Sequence, residues 1–341
     1  MKVTIAYFTS RIEPHFDWFC DSLANQMAPD DDIQVVVVDR HLWALTPEAG
    51  NRYFIRGDLM PFTDKTYHIA SRKEKFTQAV RGRFRFIHLP PKPCMWQGPF
   101  RLTTKDWFCA ATARNTAIIA AMHPYFVGVD DLSVLAPGWL NQVRHAAEGG
   151  YCVCGAYWKQ KQLVVENGVI KSHEEFMAGR DTRWAHGSSG GIVDAAGSWL
   201  FGCSFGMPLE LLLKVNGSDE ICDGAGAEDY DLGIRVERAG GVFKYNLNML
   251  TIESEEGHYL DPSLPRQKKV VSPDRLPAGY MGNPDSDHVM LWRVLNEART
   301  TTIAQWTNLR HARAEFLASE RVLIPYEPVF DWRDGEPLNL M

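Results

Sequence analysis

Residues 2–8, KVTIAYF, form a short apolar run that stops in the polar loop TSRIEP. Residues 15–27, HFDWFCDSLANQM, place apolar side chains at helical spacing, and residues 31–40, DDIQVVVVDR, are a β-branched run closed by a carboxylate. Strand, helix and a second strand apolar on both faces make a βαβ opening, hence a parallel sheet whose loops gather at its carboxyl edge. Residues 45–86 read as irregular and polar, 84–91 as a strand, and 107–122, WFCAATARNTAIIAAM, as an Ala-rich helix with Asp106 as its N-cap. A strand follows at 126–131, then a helix over 138–150 stopped by two glycines, then a strand over 151–159. Asn167-Gly168 signals a hairpin. Beyond it come a Gly/Ser-rich loop, WAHGSSGGIVDAAGS, a strand-to-helix unit ending at Gly217, and a loop feeding an amphipathic helix over 224–241. A last strand covers 242–254. Residues 261–287 are Pro-rich and read as a connection, and 288–319 have a helical pattern.

The chain has 341 residues, 45% hydrophobic and 23% charged, an ordinary globular balance. Its 42 acidic against 36 basic residues give a net charge of −6, so the protein lacks the overall basic footprint of an electrostatic nucleic-acid binder. Seven cysteines are scattered without a CxxC pair, which suggests neither a zinc ribbon nor a disulfide framework. No signal peptide opens the sequence and no apolar run approaches membrane-spanning length. The expectation is a soluble, cytoplasmic protein without membrane attachment. No GxGxxG follows the first strand, so the dinucleotide-binding fingerprint is absent.

Two places carry more acid than folding asks for. In FVGVDDLSVLAPGWL (126–140), a buried-type strand ends in Asp130 and Asp131. Carboxylates in such a place need partners. In GAGAEDYDLGIR (224–235), Glu228, Asp229 and Asp231 cluster at a helix start, where one capping acid is ordinary and three are more than capping requires.

The ordered set ARN, the aspartate strand with PGWL, GCSFGMPLELLLKVNGSDE and GAGAEDYDLGIR resembles the inverting GT-A glycosyltransferases of the family-2 type. The resemblance covers about residues 1–260. It implies an α/β fold: a Rossmann-like mixed, mostly parallel sheet flanked by helices, with residues 1–125 as the nucleotide-binding half and 126–260 as the metal and acceptor half. Residues 261–287 would be a linker, and 288–341 a C-terminal helical extension.

The resemblance further implies Mn²⁺ or Mg²⁺ held against a donor diphosphate, since hard oxygen ligands suit such ions. The family motif is one acid short here: Val129 or Gly128 stands where a first acid belongs. Asp131 is then the metal ligand with His258, and Asp130 belongs to the ribose or the metal's water shell, the two aspartates being interchangeable in this reading. Asp229 takes the role of the base that accepts the acceptor's proton. Glu228 orients the acceptor or the helix start, and Asp231 is a helix-turn acid. Thr9, Ser10, Arg11, Asp39 and Arg114 would contact a UDP-type donor. For Arg114, a salt bridge on a helix face is the competing reading. Trp199 and Tyr230 would line the sugar or acceptor, and His186 with GSSGG would form a lid.

The opening IAYFTSRIEPHFDWF resembles glycosyltransferases encoded by bacteriophages, which would place the protein in a host cytoplasm. That similarity brings in hydroxymethylated pyrimidines of phage DNA as an acceptor, beside protein or glycan. Six Lys/Arg between Arg72 and Arg85, interleaved with Phe76, Phe84 and Phe86, fit either a solvated surface or a phosphate-contacting patch. A non-catalytic nucleotide-sugar-binding module is the alternative of another class.

Overall fold

β1 (Lys2–Thr9) and β2 (Asp32–Asp39) pair in parallel along their whole length, and each sorts its side chains by parity. Val3, Ile5 and Tyr7 with Ile33, Val35 and Val37 enter one apolar layer, while Ala6 and Phe8 with Val36 and Val38 enter the other. Two cores therefore lie on the two faces of one sheet, which is why both strands read as continuous apolar runs. The computed structural model describes residues 1–11, 13–39, 42, 54–55, 58–59, 62–92, 110–187, 191–220, 228–256 and 308–318.

The first layer is covered by α1 (Phe16–Ala24), the end of α2 (Phe62–Val80), and α4 (Trp139–Gly149). The second is covered by α3 (Ala110–Ala120), α6 (Leu209–Lys214), α7 (Glu228–Arg238) and α8 (Leu309–Ala318). The remaining strands are β5 (Arg85–Leu89), β6 (Tyr125–Asp130), β7 (Ser133–Leu135), β8 (Cys152–Glu166), β9 (Val169–Glu174), β10 (Ile192–Ala195), β11 (Ser204–Pro208) and β12 (Phe243–Ser254). The two-residue strands β3 (Phe54–Ile55) and β4 (Asp58–Leu59) form a separate ladder, and α5 (Trp184–Gly187) is a single turn.

The sheet runs β10-β12-β8-β11-β6-β1-β2-β5, with β7 on β12 and β9 on β8. Four pairings on that path are parallel: β5 with β2, β2 with β1, β1 with β6, and β8 with β12. β11 is antiparallel to both β6 and β8. This is the mixed, mostly parallel α/β sheet flanked by helices that the sequence implied.

Two expectations change. The segment expected to be irregular over 45–86 holds the 19-residue helix α2. Its weak periodicity, with basic and polar residues on most positions, hid it; only Phe76 and Val80 of its last turns are buried apolar anchors. The Gly/Ser-rich loop after residue 184 contains α5 and the edge strand β10. The hairpin is as read: Asn167 and Gly168 both have positive φ, 52° and 74°, the backbone that an Asn-Gly turn supplies. Asp106, the Pro-rich connection over 261–287 and residues 288–307 lie outside the described residues. Among the described residues no helix is long and apolar enough to cross a membrane.

Candidate active site

The carboxyl ends of β1 and β6 lie side by side, with Phe8 opposite Asp130. Strand parity gives the two adjacent aspartates different surroundings. Asp131 follows Val127 and Val129, whose side chains enter the α1 layer, as do those of β1's odd-numbered residues. There it accepts hydrogen bonds from the Thr9 hydroxyl at 2.7 Å and from Arg11 Nε at 2.9 Å. Asp130 shares its parity with Phe126 and Gly128, on the layer of α3 and α7. Burial, only partly offset by Arg114, together with Glu253, Asp131 and Glu228, pushes its carboxyl up to about 7. The expected metal ligand, Asp131, is thus tied to Thr9 and Arg11. Asp130 is the acid that draws no hydrogen-bond donor among the described residues.

Arg114 stands between Asp130 and the start of α7. It is 4% exposed, donates through Nη1 to Glu228 Oε1 at 2.9 Å, and lies 5.9 Å from the Phe205 ring centre. Burial opposes its charge, but Glu228, Asp229 and Asp130 together raise its pKa. Two glycines make room. A Cβ on Gly202 would come within 1.9 Å of Arg114 Nη2, and one on Gly128 within 2.3 Å of the Phe205 ring. A side chain at residue 128, one of the two positions for the missing acid, would collide with Phe205.

Asp229 sits in the first turn of α7 and accepts the backbone N–H of Gly202 at 2.9 Å and of Tyr230 at 2.8 Å. Burial and then Glu228 raise its pKa above the usual carboxylate range, against Arg114 and the two amides. Asp231 is buried and ion-paired with Arg235 at 2.9 Å, one helical turn on.

Asp39, expected to contact the donor, is instead committed to Arg72 and His88. It is 0% exposed, bound by Arg72 Nε at 2.5 Å and Nη2 at 3.1 Å, and by His88 Nε2 at 3.0 Å. Burial alone would raise its pKa; Arg72 and His88 hold it well below the usual range instead. Arg72 also donates to the Arg11 carbonyl at 2.7 Å, so Asp39 braces the loop that carries Arg11. Ser10 follows Thr9 at the same strand end, half-buried.

Trp199 packs on His186 and Tyr245, at 4.9 and 5.9 Å between ring centres, and its carbonyl is held by Arg183. Tyr230 is half-buried on α7. His258 lies outside the described residues. Sequence reasoning missed Glu253 on β12, which is 3% exposed and pushed up to about 7 by burial, partly relieved by Lys159, and by Asp131. Its signal was the Thr251, Glu253 alternation at the end of a strand, where inward-facing acid is unusual.

Most cations of the basic segment are paired with acids of the same chain, some buried and some at the surface. Arg72 pairs with Asp39, Lys75 with Glu13, Arg81 and Arg83 with Asp21, and Arg85 with Asp32. Phe76 is buried against Phe16 and His88. These pairs give no support to a phosphate-tracking stripe there, the feature that favoured a DNA acceptor.

An oxygen-only donor set suits a hard divalent cation. Among the described residues no three His, Cys, Asp or Glu side chains are grouped as a metal cage. A single carboxylate such as Asp130 still fits an ion whose other ligands are substrate phosphates and water, the usual arrangement for Mg²⁺.

No protein-family model matches the sequence. Among curated proteins no relative matches it. Among solved structures, the mannosyltransferase PcManGT from Pyrobaculum calidifontis, in complex with GDP-Man and Mn²⁺, is 17% identical with a TM-score of 0.46, over 93% of this chain and 70% of that one. TarS 1–349 of S. aureus is 14% identical with a TM-score of 0.42, over 76% of this chain and 62% of that one. The chain thus spans less than two thirds of TarS 1–349. GalNAc-T7 with UDP, GalNAc and Mn²⁺ is 8% identical with a TM-score of 0.45, over 74% of this chain and 44% of that one.

Proposed function

We propose that the protein is a divalent-metal-dependent glycosyltransferase that moves a sugar from a nucleotide diphosphate donor, of the UDP type, to an acceptor hydroxyl with inversion. The observation that supports this most is the gathering of Asp130, Glu228 and Asp229 around buried Arg114, at the carboxyl edge where open α/β sheets bind ligands.

Asp130 would hold the cation, and Asp131 keeps Thr9 and Arg11 at the donor's edge. A bound cation would neutralise charge growing on the leaving nucleotide diphosphate. Asp229 accepts the proton of the attacking hydroxyl. Its raised proton affinity brings it closer to the pH at which a general base works well, and the Gly202 and Tyr230 amides fix the direction of its carboxylate. Glu228 and Arg114 set the charge around that base. Arg114, sequestered under Glu228, acts on the acids rather than on the diphosphate. A glycan or protein hydroxyl is the favoured acceptor class, because most cations of the basic segment are paired with acids of this chain and the net charge is −6.

The test is nucleotide release from a panel of nucleotide sugars, with and without Mn²⁺, by the full chain. The expected result is metal-dependent release of UDP from one or more UDP-sugars, lost in Asp130→Asn. Donor binding with no release in any combination would favour the binding-module reading.

A further inference from the structure

Beside the proposed site, one residue further along α3, lies a second buried polar cluster. Lys92 and Glu220 are 3% and 1% exposed and pair at 2.5 Å between Nζ and Oε1. Asn115 Nδ2 donates to the same Glu220 oxygen at 2.9 Å and to the Ser218 carbonyl at 2.8 Å. Asn115 Oδ1 accepts the Ser218 N–H at 2.8 Å. The Lys92 backbone is itself fixed, its N–H donating to Thr116 Oγ1 at 2.8 Å. Gly217 packs against the cluster in a left-handed conformation (φ 72°), where a Cβ would lie 2.3 Å from Asn115 Oδ1.

Burying an ion pair with an amide bound to it is costly unless every partner is met, so a chain does not place one by accident of composition. Its location gives a use. Arg114 and Asn115 are consecutive residues of α3. Asn115 grips 218–220, where the chain leaves α6 and its Gly217 turn; Arg114 grips Glu228, where it enters α7. One turn of one helix thus holds both ends of the seven intervening residues, and Asp229 follows directly.

We propose that Asn115, backed by the Lys92–Glu220 pair, is a positioning residue for the transfer reaction. It fixes the incoming end of the chain that presents Glu228 and Asp229, so that Asp229 meets the Gly202 and Tyr230 amides. The proposal rests on the transferase reading for its catalytic consequence, and on geometry alone for its structural one. Small displacements of a proton acceptor cost rate steeply, about 10²-fold for an ångström.

The test compares wild type with Asn115→Ala and with the double variant Lys92→Met/Glu220→Met, which removes the pair without stranding a charge. Hydrogen exchange of peptides covering 200–205 and 228–232, UDP affinity with Mn²⁺, and kcat and KM for UDP release are measured. The expected result is faster exchange in those two peptides, with β1 and β2 unchanged. UDP affinity stays within about twofold and kcat falls at least tenfold, roughly the low end of the cost of misplacement. Unchanged exchange in 228–232, or acceleration spread equally through the sheet, overturns the positioning role. If wild type releases no nucleotide, the transferase reading fails, while the exchange data still decide whether the cluster holds the start of α7.

Discussion

Arg114 Nη1 lies 2.9 Å from Glu228 Oε1, and that contact joins the helix carrying ARN to the helix carrying the Glu-Asp pair. Asp229 and Asp130 share the same cation electrostatically. Arg114→Met leaves three acids around an uncharged side chain, and removing one partner of a buried pair costs about 3–5 kcal/mol. A urea midpoint lowered to match is expected. The acid limb of the rate profile should also move to higher pH, because the charge that lowers Asp229's proton affinity is gone. A pH-rate profile with its limb in place would refute that electrostatic role.

With Asp130 as the proposed cation ligand, metal affinity should depend on pH. Its carboxyl is raised to about 7, so near neutrality it is partly protonated before a cation binds. Ligands must lose their protons to bind metal. Mn²⁺ titrated calorimetrically in the presence of UDP should bind more tightly at pH 8 than at pH 6, and Asp130→Asn should flatten the difference. The same raised pKa has the opposite sign for the metal-free fold. The protonated form is the one folding favours, so this contribution to stability falls as pH climbs from the ordinary carboxylate range towards 7.

Asp39 behaves in reverse. Its pKa is depressed, so the stability it supplies is present above the ordinary carboxylate range, near pH 4, and is lost as pH falls through its folded value. Arg72→Met should lower stability at pH 7 by about 3 kcal/mol and shrink the loss between pH 5 and pH 3. Chemical denaturation at those three pH values measures both.

Gly128→Ala tests the packing beneath Arg114. The new methyl would lie 2.3 Å from Phe205 Cε1, and overpacking of a tight core costs about 1–3 kcal/mol. Thermal unfolding should show that loss, and Gly128→Ala paired with Phe205→Leu should recover part of it.

The parallel strands near the site were legible because β1, β2 and β6 are apolar on both faces, and β2 and β6 end in acids. The helix start at Glu228 was legible from its acids and glycines. What single positions do was less so. Asp39 and Asp131 look alike as strand-end acids, yet each is committed by a cation brought from a distant element: Arg72 from α2 and Arg11 from the β1 loop. Such pairings are long-range and leave no local pattern. α2 was missed because its basic and polar residues outnumber the apolar ones, of which Phe76 and Val80 meet the core. Glu253 left only the alternation of Thr251 and Glu253 as a signal, and its burial follows from pairing with Ser133 and Lys159, which the sequence does not show.

The most direct measurement is single-turnover UDP release from a UDP-sugar with Mn²⁺ by wild type and by Asp229→Asn, alongside donor affinity for both. The base assignment predicts that affinity stays within about twofold while release slows by about 10²–10⁴-fold. Equal release rates at equal affinity would contradict it.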